Sequence, residues 1–334
     1  MRKPADLPPE MGRSFTVQRA LSAGVTAGRL RRSDLEIPFR GIRWVPEVPP
    51  TSTPSGSGVV RRSTKPDPFE VQARERRVQA RRYAPRLKDD QYLSHESAVA
   101  LLGGPIPLVA VKGLAVDGST LPVHVTTNGT GPLVRAIGVT AHRSDPSSTR
   151  VIQRGNLAFA APETAWAQLG AWDLEDLVAL GDHFCRVWRP GVGRPDAGKA
   201  PMTTIDTLRA TIAARRRTGI QNLREAVELI REDSWSPRES KLRVRIVRAG
   251  LPEPLLNQDV FDDHGRFLGC VDLAYPHLKV AIEYQGRLHS GNYAADVERI
   301  AALRAAGWIV IEVSSELFTR PGELIERIRQ ALSR

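Results

Sequence analysis

The last third of the chain constrains its fold most, because three strand-like runs follow one another with turn residues between them. The runs are LLNQDVFD, GRFLGCVDLAY and LKVAIEY, separated by Asp263-His264-Gly265 and Tyr275-Pro276-His277. A helical pattern comes before them, and a helix, the strand WIVIEV and a closing helix come after them. The order α-β-β-β-α-β-α predicts a small mixed sheet flanked by helices.

One of these strands carries a carboxylate inside an apolar run. In VAIEYQG, alternation places Glu283 on the same face as Ala281 and Gln285, while Ile282 and Tyr284 point the other way. A charge in such a run is costly to bury unless it is paired or holds a cation. The rest of the chain must therefore supply a partner for Glu283.

The preceding strand offers a second carboxylate, Asp272. If the two strands pair antiparallel, the turn near His277 brings Asp272 and Glu283 close together, where two like charges repel unless a cation lies between them. Oxygen ligands on a rigid sheet suit Mg²⁺ or Mn²⁺, which polarises a phosphoryl group and lowers the pKa of a bound water. Glu239, in the helix before the strands, is either a third acid within reach of such an ion or a surface residue.

Three segments within residues 238–317 carry a resemblance to a known family. RESKLRVRIVRAGLPEP, FDDHGRFLGCVDLAYPHLKVAIEYQGRLH and DVERIAALRAAGWIVIEVSSEL resemble the PD-(D/E)XK nuclease superfamily, specifically its very-short-patch-repair-like endonuclease branch. The resemblance implies a metal-dependent DNA endonuclease. In it Asp272 is the strand acid, Glu283 the second metal ligand and Glu239 the helix acid.

The same resemblance assigns further positions, two of which depart from the pattern. Val271 stands in place of the proline before the strand acid, and Gln285 stands where many members carry a lysine. Gln285 is neutral and cannot act as a base, so the metal or His289 would have to activate the water. His289 is either a general acid or base or a structural histidine. Asp296 and Arg299 are expected on the next helix, near the cluster.

The charge of the chain favours a polyanionic partner. Forty-eight Lys and Arg against 37 Asp and Glu give a formal net charge of +11. Two cysteines, Cys185 and Cys270, cannot by themselves build a four-ligand zinc site and are expected to be small buried hydrophobes. No signal peptide or long apolar run is apparent, so we expect a cytosolic protein.

The N-terminal segment FTVQRALSAGVTAGRLRRSDLEIPFRGIRWVP predicts a DNA-binding helix-turn-helix. A helix from Thr16 to Ala23, a second helix from Thr26 and a wing from Phe39 to Val45 form the pattern. Leu21, Val25 and Leu30 are expected in its small core. The residues expected to contact phosphates and grooves are Arg29, Arg31, Arg32, Arg40 and Arg43. An arginine-bearing helical hairpin without a special role is the alternative.

This N-terminal module and the segments after it resemble a second family. YLSHESAVALLGG, the strand at His124-Val125-Thr126, GVTAHRS and APETAWAQLGAWDLEDLVALGDH are similar to actinobacterial proteins of the AbiEi type. Those are antitoxins that bind DNA and repress their own promoter. The resemblance implies DNA binding and autoregulation, but a toxin partner cannot be identified from the chain.

The expected fold is therefore α+β and multidomain. A winged helix-turn-helix (residues 11–46) is followed by a linker and basic helix (47–91), an α+β middle domain (92–188) and a restriction-endonuclease-like α/β domain with a mixed sheet (202–334). The stretch ARERRVQARRYAPRLK within the linker is expected to be helical up to Tyr83. Its basic face either is solvated or contacts phosphates.

Three functions remain open from the sequence. The first is a Mg²⁺- or Mn²⁺-dependent endonuclease that acts on double-stranded DNA through Asp272, Glu283 and Gln285. The second is an antitoxin-like transcriptional regulator with a catalytically silent nuclease-like domain. A basic structural or RNA-associated protein is a third reading, and the lack of a run of aromatic residues for base stacking counts against it.

Overall fold

The structure, a computed structural model, describes residues 6–46, 67–285 and 293–334. The chain is a mixed α+β protein, as the sequence predicts, and it divides into two compact units, residues 1–169 and 170–334. Among the described residues, no helix is both long enough and apolar enough to cross a membrane.

The first unit contains four helices and nine strands within its described residues. In chain order they are β1 (Ser14–Thr16), α1 (Val17–Ser22), β2 (Ile42–Trp44), α2 (Pro68–Tyr83), β3 (Gln91–Leu93), α3 (His95–Leu102), β4 (Ala110–Val111), β5 (Leu114–Ala115), β6 (Val123–Asn128), β7 (Val139–Ser144), β8 (Val151–Arg154), β9 (Leu157–Ala160) and α4 (Pro162–Ala167). Five of the strands form one sheet in the order β7-β6-β3-β9-β8.

The N-terminal segment matches its prediction only in part. Helix α1 begins after Thr16, whose hydroxyl accepts a hydrogen bond from the Arg19 N–H, and β1 pairs antiparallel with β2. The second helix predicted from Thr26 is reduced to one 3₁₀ turn at Arg29–Arg31, because this stretch offers too few apolar positions for an amphipathic face. Leu21, expected in the core, is 48% exposed, whereas Val25 and Leu30 are buried as predicted.

Helix α2 ends at Tyr83, as the following Ala84 and Pro85 predict. Its arginines fit neither of the two alternatives from the sequence completely. Arg76 is buried, and Arg82 pairs with Glu36 at 2.7 Å, so these two positions hold the unit together. Arg74 and Arg81 are exposed.

The second unit contains the α-β-β-β-α-β-α order predicted from the sequence. Its elements are α5 (Leu174–Cys185), α6 (Ile205–Ala213), α7 (Ile220–Leu229), α8 (Pro237–Arg248), β10 (Leu255–Phe261), β11 (Phe267–Tyr275), β12 (Val280–Tyr284), α9 (Tyr293–Ala305), β13 (Ile309–Val313), α10 (Ser315–Phe318) and α11 (Pro321–Leu332). The sheet order is β10-β11-β12-β13, with two antiparallel pairs and a parallel pair, β12 with β13.

Apolar side chains cover both faces of this sheet. Leu242 and Ile246 of α8, with residues of α10 and α11, pack on the face that carries Leu273 and Ile282. Leu303 of α9 packs with Ala274 and Ala281 in a second cluster. The sheet is therefore the middle layer of a helix-sheet-helix sandwich, which fixes the strand positions that carry the acids.

Helix α5 lies in the second unit, although the sequence assigned it to the middle domain that ends at residue 188. Three ion pairs join it to α8. They are Glu175–Arg245 at 2.9 Å, Asp176–Lys241 at 2.5 Å and the fully buried Asp182–Arg243 at 3.2 Å. A helix bound by buried charges to the sandwich folds with it, whatever loop follows it in the chain.

Candidate active site

Strand pairing brings the two predicted acids to facing positions. Strands β11 and β12 are antiparallel, and Leu273 pairs with Ile282, so Asp272 and Glu283 occupy the next pair of positions on the two strands. Residues that face each other across an antiparallel pair point to the same side of the sheet. The sequence predicts that Asp272 and Glu283 lie close together if the two strands pair antiparallel, and the strands do pair in this way.

Asp272 is fixed by the backbone of the neighbouring strand. The N–H of Tyr284 donates a hydrogen bond of 2.8 Å to the Asp272 Oδ2. One carboxylate oxygen is thus engaged by the end of β12, and the other oxygen has no such bond to that strand. A carboxylate anchored in this way has a defined orientation without losing its remaining acceptor capacity.

Glu239 enters the same region from the first turn of α8. Ser236 caps the helix by accepting a bond from the Glu239 N–H at 3.2 Å, with Pro237 at the first position, as the sequence predicts. The Glu239 Oε2 accepts hydrogen bonds from the Trp235 N–H at 3.0 Å and from the Asn257 Nδ2 at 2.9 Å. Glu239 is therefore a buried, oriented acid and not the surface residue that the sequence left open.

Glu283 has a cationic partner, Arg299 of α9. The guanidinium donates two hydrogen bonds to the Glu283 carboxylate, of 2.8 and 3.2 Å. Gly269 on β11 makes this reach possible, because a Cβ at that position would lie 2.6 Å from the Arg299 Cδ. The partner predicted for Glu283 is thus an arginine. Arg299 lies on α9, the helix on which the resemblance places it.

The pKa values of Asp272 and Glu283 are shifted by their surroundings. Burial raises the pKa of Asp272 well above its usual range, and the nearby Glu239 and Glu283 carboxylates raise it further. Burial also raises the pKa of Glu283, against the opposing effect of its hydrogen bonds with Arg299. Three carboxylates facing one guanidinium leave an excess of negative charge, and a divalent cation would relieve it.

Not every residue implied by the resemblance joins these acids. The Gln285 Nε2 lies 3.4 Å from the Glu312 Oε2 on β13, so its side chain is directed away from Asp272. Asp296 lies 3.7 Å from Arg299 and so borders the cluster through that arginine. His289 lies outside the described residues.

The five N-terminal arginines divide into two groups. Arg29 forms a bidentate pair with Asp34, and the Arg43 guanidinium donates to the carbonyl oxygens of Leu30 and Ile42, so both stabilise the module itself. The exposed residues of the group are Arg31, Arg32 and Arg40. Exposed arginine side chains of this kind are accessible to a phosphate backbone.

Sequence reasoning missed a cluster of cations and tryptophans beside the acids. We call it the Arg–Trp cluster, and it contains Arg186, Trp188, Arg194, Lys199 and Trp235. The Arg186 guanidinium lies 3.6 Å from the Trp188 ring centroid, and the Arg194 guanidinium lies 4.7 Å from that of Trp235. Trp235 adjoins the acids because its backbone N–H donates a hydrogen bond to the Glu239 carboxylate.

The Arg–Trp cluster is built largely by the loop at residues 186–201, most of which lies between the predicted middle domain (92–188) and the predicted nuclease-like domain (202–334). Arg194 fastens this loop to the sheet by pairing with Asp259 and by a bond of 3.3 Å to the Asn257 carbonyl. The available signal was three arginines close to Trp188, namely Arg186, Arg189 and Arg194, within nine residues of chain. This pattern could not predict that the loop lies near the acids, because only the fold brings Trp235 beside the loop.

The donor set of the acid cluster suits a hard divalent cation. Asp272 and Glu283 offer carboxylate oxygens from rigid strands, and Glu239 adds a third nearby charge. No histidine or cysteine ligand is needed for Mg²⁺ or Mn²⁺. A cation that approached the Glu283 oxygens from the side of Arg299 would compete with its two hydrogen bonds.

Comparisons with protein-family models, with curated proteins and with solved structures find no match to this chain.

Proposed function

We propose that the protein is a divalent-metal-dependent DNA endonuclease whose metal ligands are Asp272 and Glu283, with Mg²⁺ or Mn²⁺ as cofactor. One observation carries the proposal. Two acids occupy facing positions on adjacent strands, with a third close enough to raise the pKa of Asp272. Proteins rarely retain such crowded, desolvated charges unless the charges perform chemistry.

Each residue of the site has a defined task in this proposal. Asp272, held by the Tyr284 N–H, and Glu283 present their oxygens to the cation, while Glu239 is oriented by Trp235 and Asn257 to accept a bond from the attacking water. When bound, the cation polarises the scissile phosphate and lowers the pKa of water. Arg299 neutralises part of the charge of the acids and would be a cationic contact for the phosphate.

Two cationic surfaces support DNA as the substrate. The Arg–Trp cluster adjoins Glu239 in the second unit, and Arg31, Arg32 and Arg40 are exposed in the first. The net charge of +11 favours a polyanion over other partners. We assign the second unit to the nuclease-like fold and the N-terminal segment to DNA contact, with the protein acting on duplex DNA in the cytoplasm.

A second candidate is a DNA-binding regulator with a silent nuclease-like unit. The bidentate hold of Arg299 on Glu283 and the direction of Gln285 toward Glu312 favour it, because both weaken the metal site. The expected resemblance of the N-terminal module and the segments up to residue 183 to AbiEi-type antitoxins implies promoter binding in this second candidate. The endonuclease remains the better-supported function, because a silent site would gain nothing from two buried acids and a third, partly buried one beside them.

The test is a plasmid-nicking assay with Mg²⁺ or Mn²⁺, in which the Asp272→Asn and Glu283→Gln variants are compared with wild type. We expect wild type to nick, and each variant to lose at least about 100-fold in rate. Asp263→Asn, an exposed acid on the β10–β11 turn, is the matched control and should nick as wild type does. An inactive wild type that binds its own promoter with strong salt dependence would support the regulator instead.

A further inference from the structure

Three of the seven histidines converge in the first unit, far along the chain from one another. His95 is the first residue of α3, His124 lies on β6 and His142 lies on β7. Strands β6 and β7 are parallel, and Thr126 pairs with His142, so His124 and His142 lie on one face two positions apart. The carbonyl of His124 accepts a hydrogen bond of 3.0 Å from the Ser94 N–H, which places the start of α3 over them.

The ring nitrogens are close enough to share one ion. The His124 Nδ1 and the His142 Nε2 share a hydrogen bond of 3.0 Å, which an ion would replace with release of its proton, and one nitrogen from each of the three rings lies within 4.8 Å of the others. Tetrahedral ligands at 2.0–2.1 Å from zinc are about 3.3 Å apart. The His95 and His142 rings are stacked, with centroids 3.7 Å apart, so binding requires a small rotation of His95.

Two of the three outer ring nitrogens lie beside groups of the kind that orient metal-binding histidines. The His124 Nε2 lies 3.2 Å from the Glu96 Oε2, and the His95 Nδ1 lies 3.0 Å from the Ser94 Oγ. A histidine that donates from one ring nitrogen to a carboxylate or hydroxyl keeps the lone pair of the other nitrogen for a metal. The nitrogens that would bind the ion are therefore His95 Nε2, His124 Nδ1 and, once it has lost the proton of its hydrogen bond to His124, His142 Nε2.

Two further observations favour a ligand at this place. His95 has φ 48, a left-handed conformation that a residue with a Cβ adopts at a cost, and its surroundings must hold it there. Burial and the neighbouring rings lower the pKa of His95 to about 2 and that of His142 to about 4, so both imidazoles are neutral and able to coordinate at neutral pH.

We propose that His95, His124 and His142 bind one Zn²⁺ ion, which fastens the start of α3 to the sheet of the first unit. Neutral imidazoles are preferred ligands for zinc, whereas Mg²⁺ prefers oxygen, so this site and the acid cluster take different metals. Three protein ligands leave a fourth position for water or an added ligand. Glu96 orients His124 from the outer side and does not itself touch the metal.

The experiment uses the untagged full-length chain, stripped of metal, incubated with Zn²⁺ and separated from free metal by gel filtration. Elemental analysis should find about one zinc per chain in wild type, because three histidines define one site. Co²⁺ loading should give visible absorption bands of a four-coordinate centre. A wild type that retains far less than one zinc per chain overturns the proposal.

Variants separate this site from others. His124→Ala and His142→Ala should lose the zinc, and Glu96→Gln should retain it with an affinity lower by about 10- to 100-fold. His264→Ala and His277→Ala, which remove exposed histidines of the second unit, are the matched controls and should bind as wild type does. Zinc content unchanged in His142→Ala, with the fold verified by circular dichroism, would also contradict the proposal.

The nuclease variant Asp272→Asn keeps this test independent of the proposed function. It should lose nicking and keep the zinc. Loss of zinc in Asp272→Asn would place the ion in the acid cluster and overturn the histidine site.

Discussion

Arg299 holds the Glu283 carboxylate through two hydrogen bonds, of 2.8 and 3.2 Å, across the strand that carries Asp272. Glu283 is 4% exposed, so its charge depends on this partner for as long as no cation is bound. The Arg299 guanidinium therefore neutralises the Glu283 charge, which a divalent cation would neutralise in the proposed enzyme. Metal binding and the Arg299–Glu283 pair are expected to compete.

Arg299→Ala tests that competition. Without metal, the variant should lose about 2–3 kcal/mol in free energy of unfolding, because it leaves the Glu283 charge buried and unpaired. Mn²⁺ should restore more stability to the variant than to wild type, since the freed carboxylate binds it more tightly. Thermal unfolding with and without Mn²⁺ measures both effects, and equal metal stabilisation of the two proteins would remove Glu283 from the ligand set.

Gly269→Ala should reproduce this behaviour from a different position. The new Cβ would lie 2.6 Å from the Arg299 Cδ, so the arginine must move away from Glu283. The matched control is Gly265→Ala in the β10–β11 turn, which meets no atom within 4 Å but shares the positive φ. A Gly269→Ala protein with the metal response of wild type would show that the close approach does not position Arg299.

Asp272→Asn should abolish nicking and yet stabilise the metal-free protein at pH 8. The substitution removes a desolvated charge that Glu239 and Glu283 repel, and the asparagine Oδ1 can still accept the Tyr284 N–H. A gain on the order of 1 kcal/mol is expected. Urea unfolding with a chelator present measures it, and Asp263→Asn, with its exposed side chain, should show no gain.

Asp182 gives a pH dependence that is separate from the metal sites. Burial raises its pKa from 3.8 to about 6, against the opposing charge of Arg243. Between these two values the folded state binds more protons than the unfolded state, so the contribution of Asp182 to stability is full below pH 3.8 and is lost as the pH rises through about 6.

The Asp182→Asn variant should lack this slope. Urea unfolding at several values between pH 4 and pH 7 should show wild type losing stability relative to the variant, by on the order of 2 kcal/mol across the window. Parallel curves for the two proteins would mean that the aspartate does not titrate in this range.

The N-terminal arginines should separate DNA binding from stability. Arg31→Gln combined with Arg40→Gln should weaken binding to duplex DNA and reduce the salt dependence of log K by roughly one per lost phosphate contact, without changing the melting temperature. Arg43→Gln should lower the melting temperature, because its guanidinium bonds two backbone carbonyls. Fluorescence anisotropy at several salt concentrations distinguishes these results, and DNA binding unaffected by the double variant would place the interface elsewhere.

The candidate site shows where sequence reasoning succeeds. The facing positions of Asp272 and Glu283 followed from strand alternation and a turn signal, both of which depend on residues close together in the chain. The capping of α8 by Ser236 was equally local. The length of the second N-terminal helix was overestimated. The residues of its single 3₁₀ turn include one buried apolar side chain, Leu30, which is too little to stabilise more than a turn.

The sequence by itself determined the strand-and-helix order of the second unit, the acids on β11 and β12, and the net positive charge. Only the tertiary structure decided that Arg299 holds Glu283, that Gln285 faces Glu312, and that the loop at residues 186–201 carries cations to Trp235. The histidine cluster is of the same kind, since its members come from three separate elements. Periodicity and capping are set by neighbours in the chain, whereas these contacts depend on how distant segments pack, which no local pattern encodes.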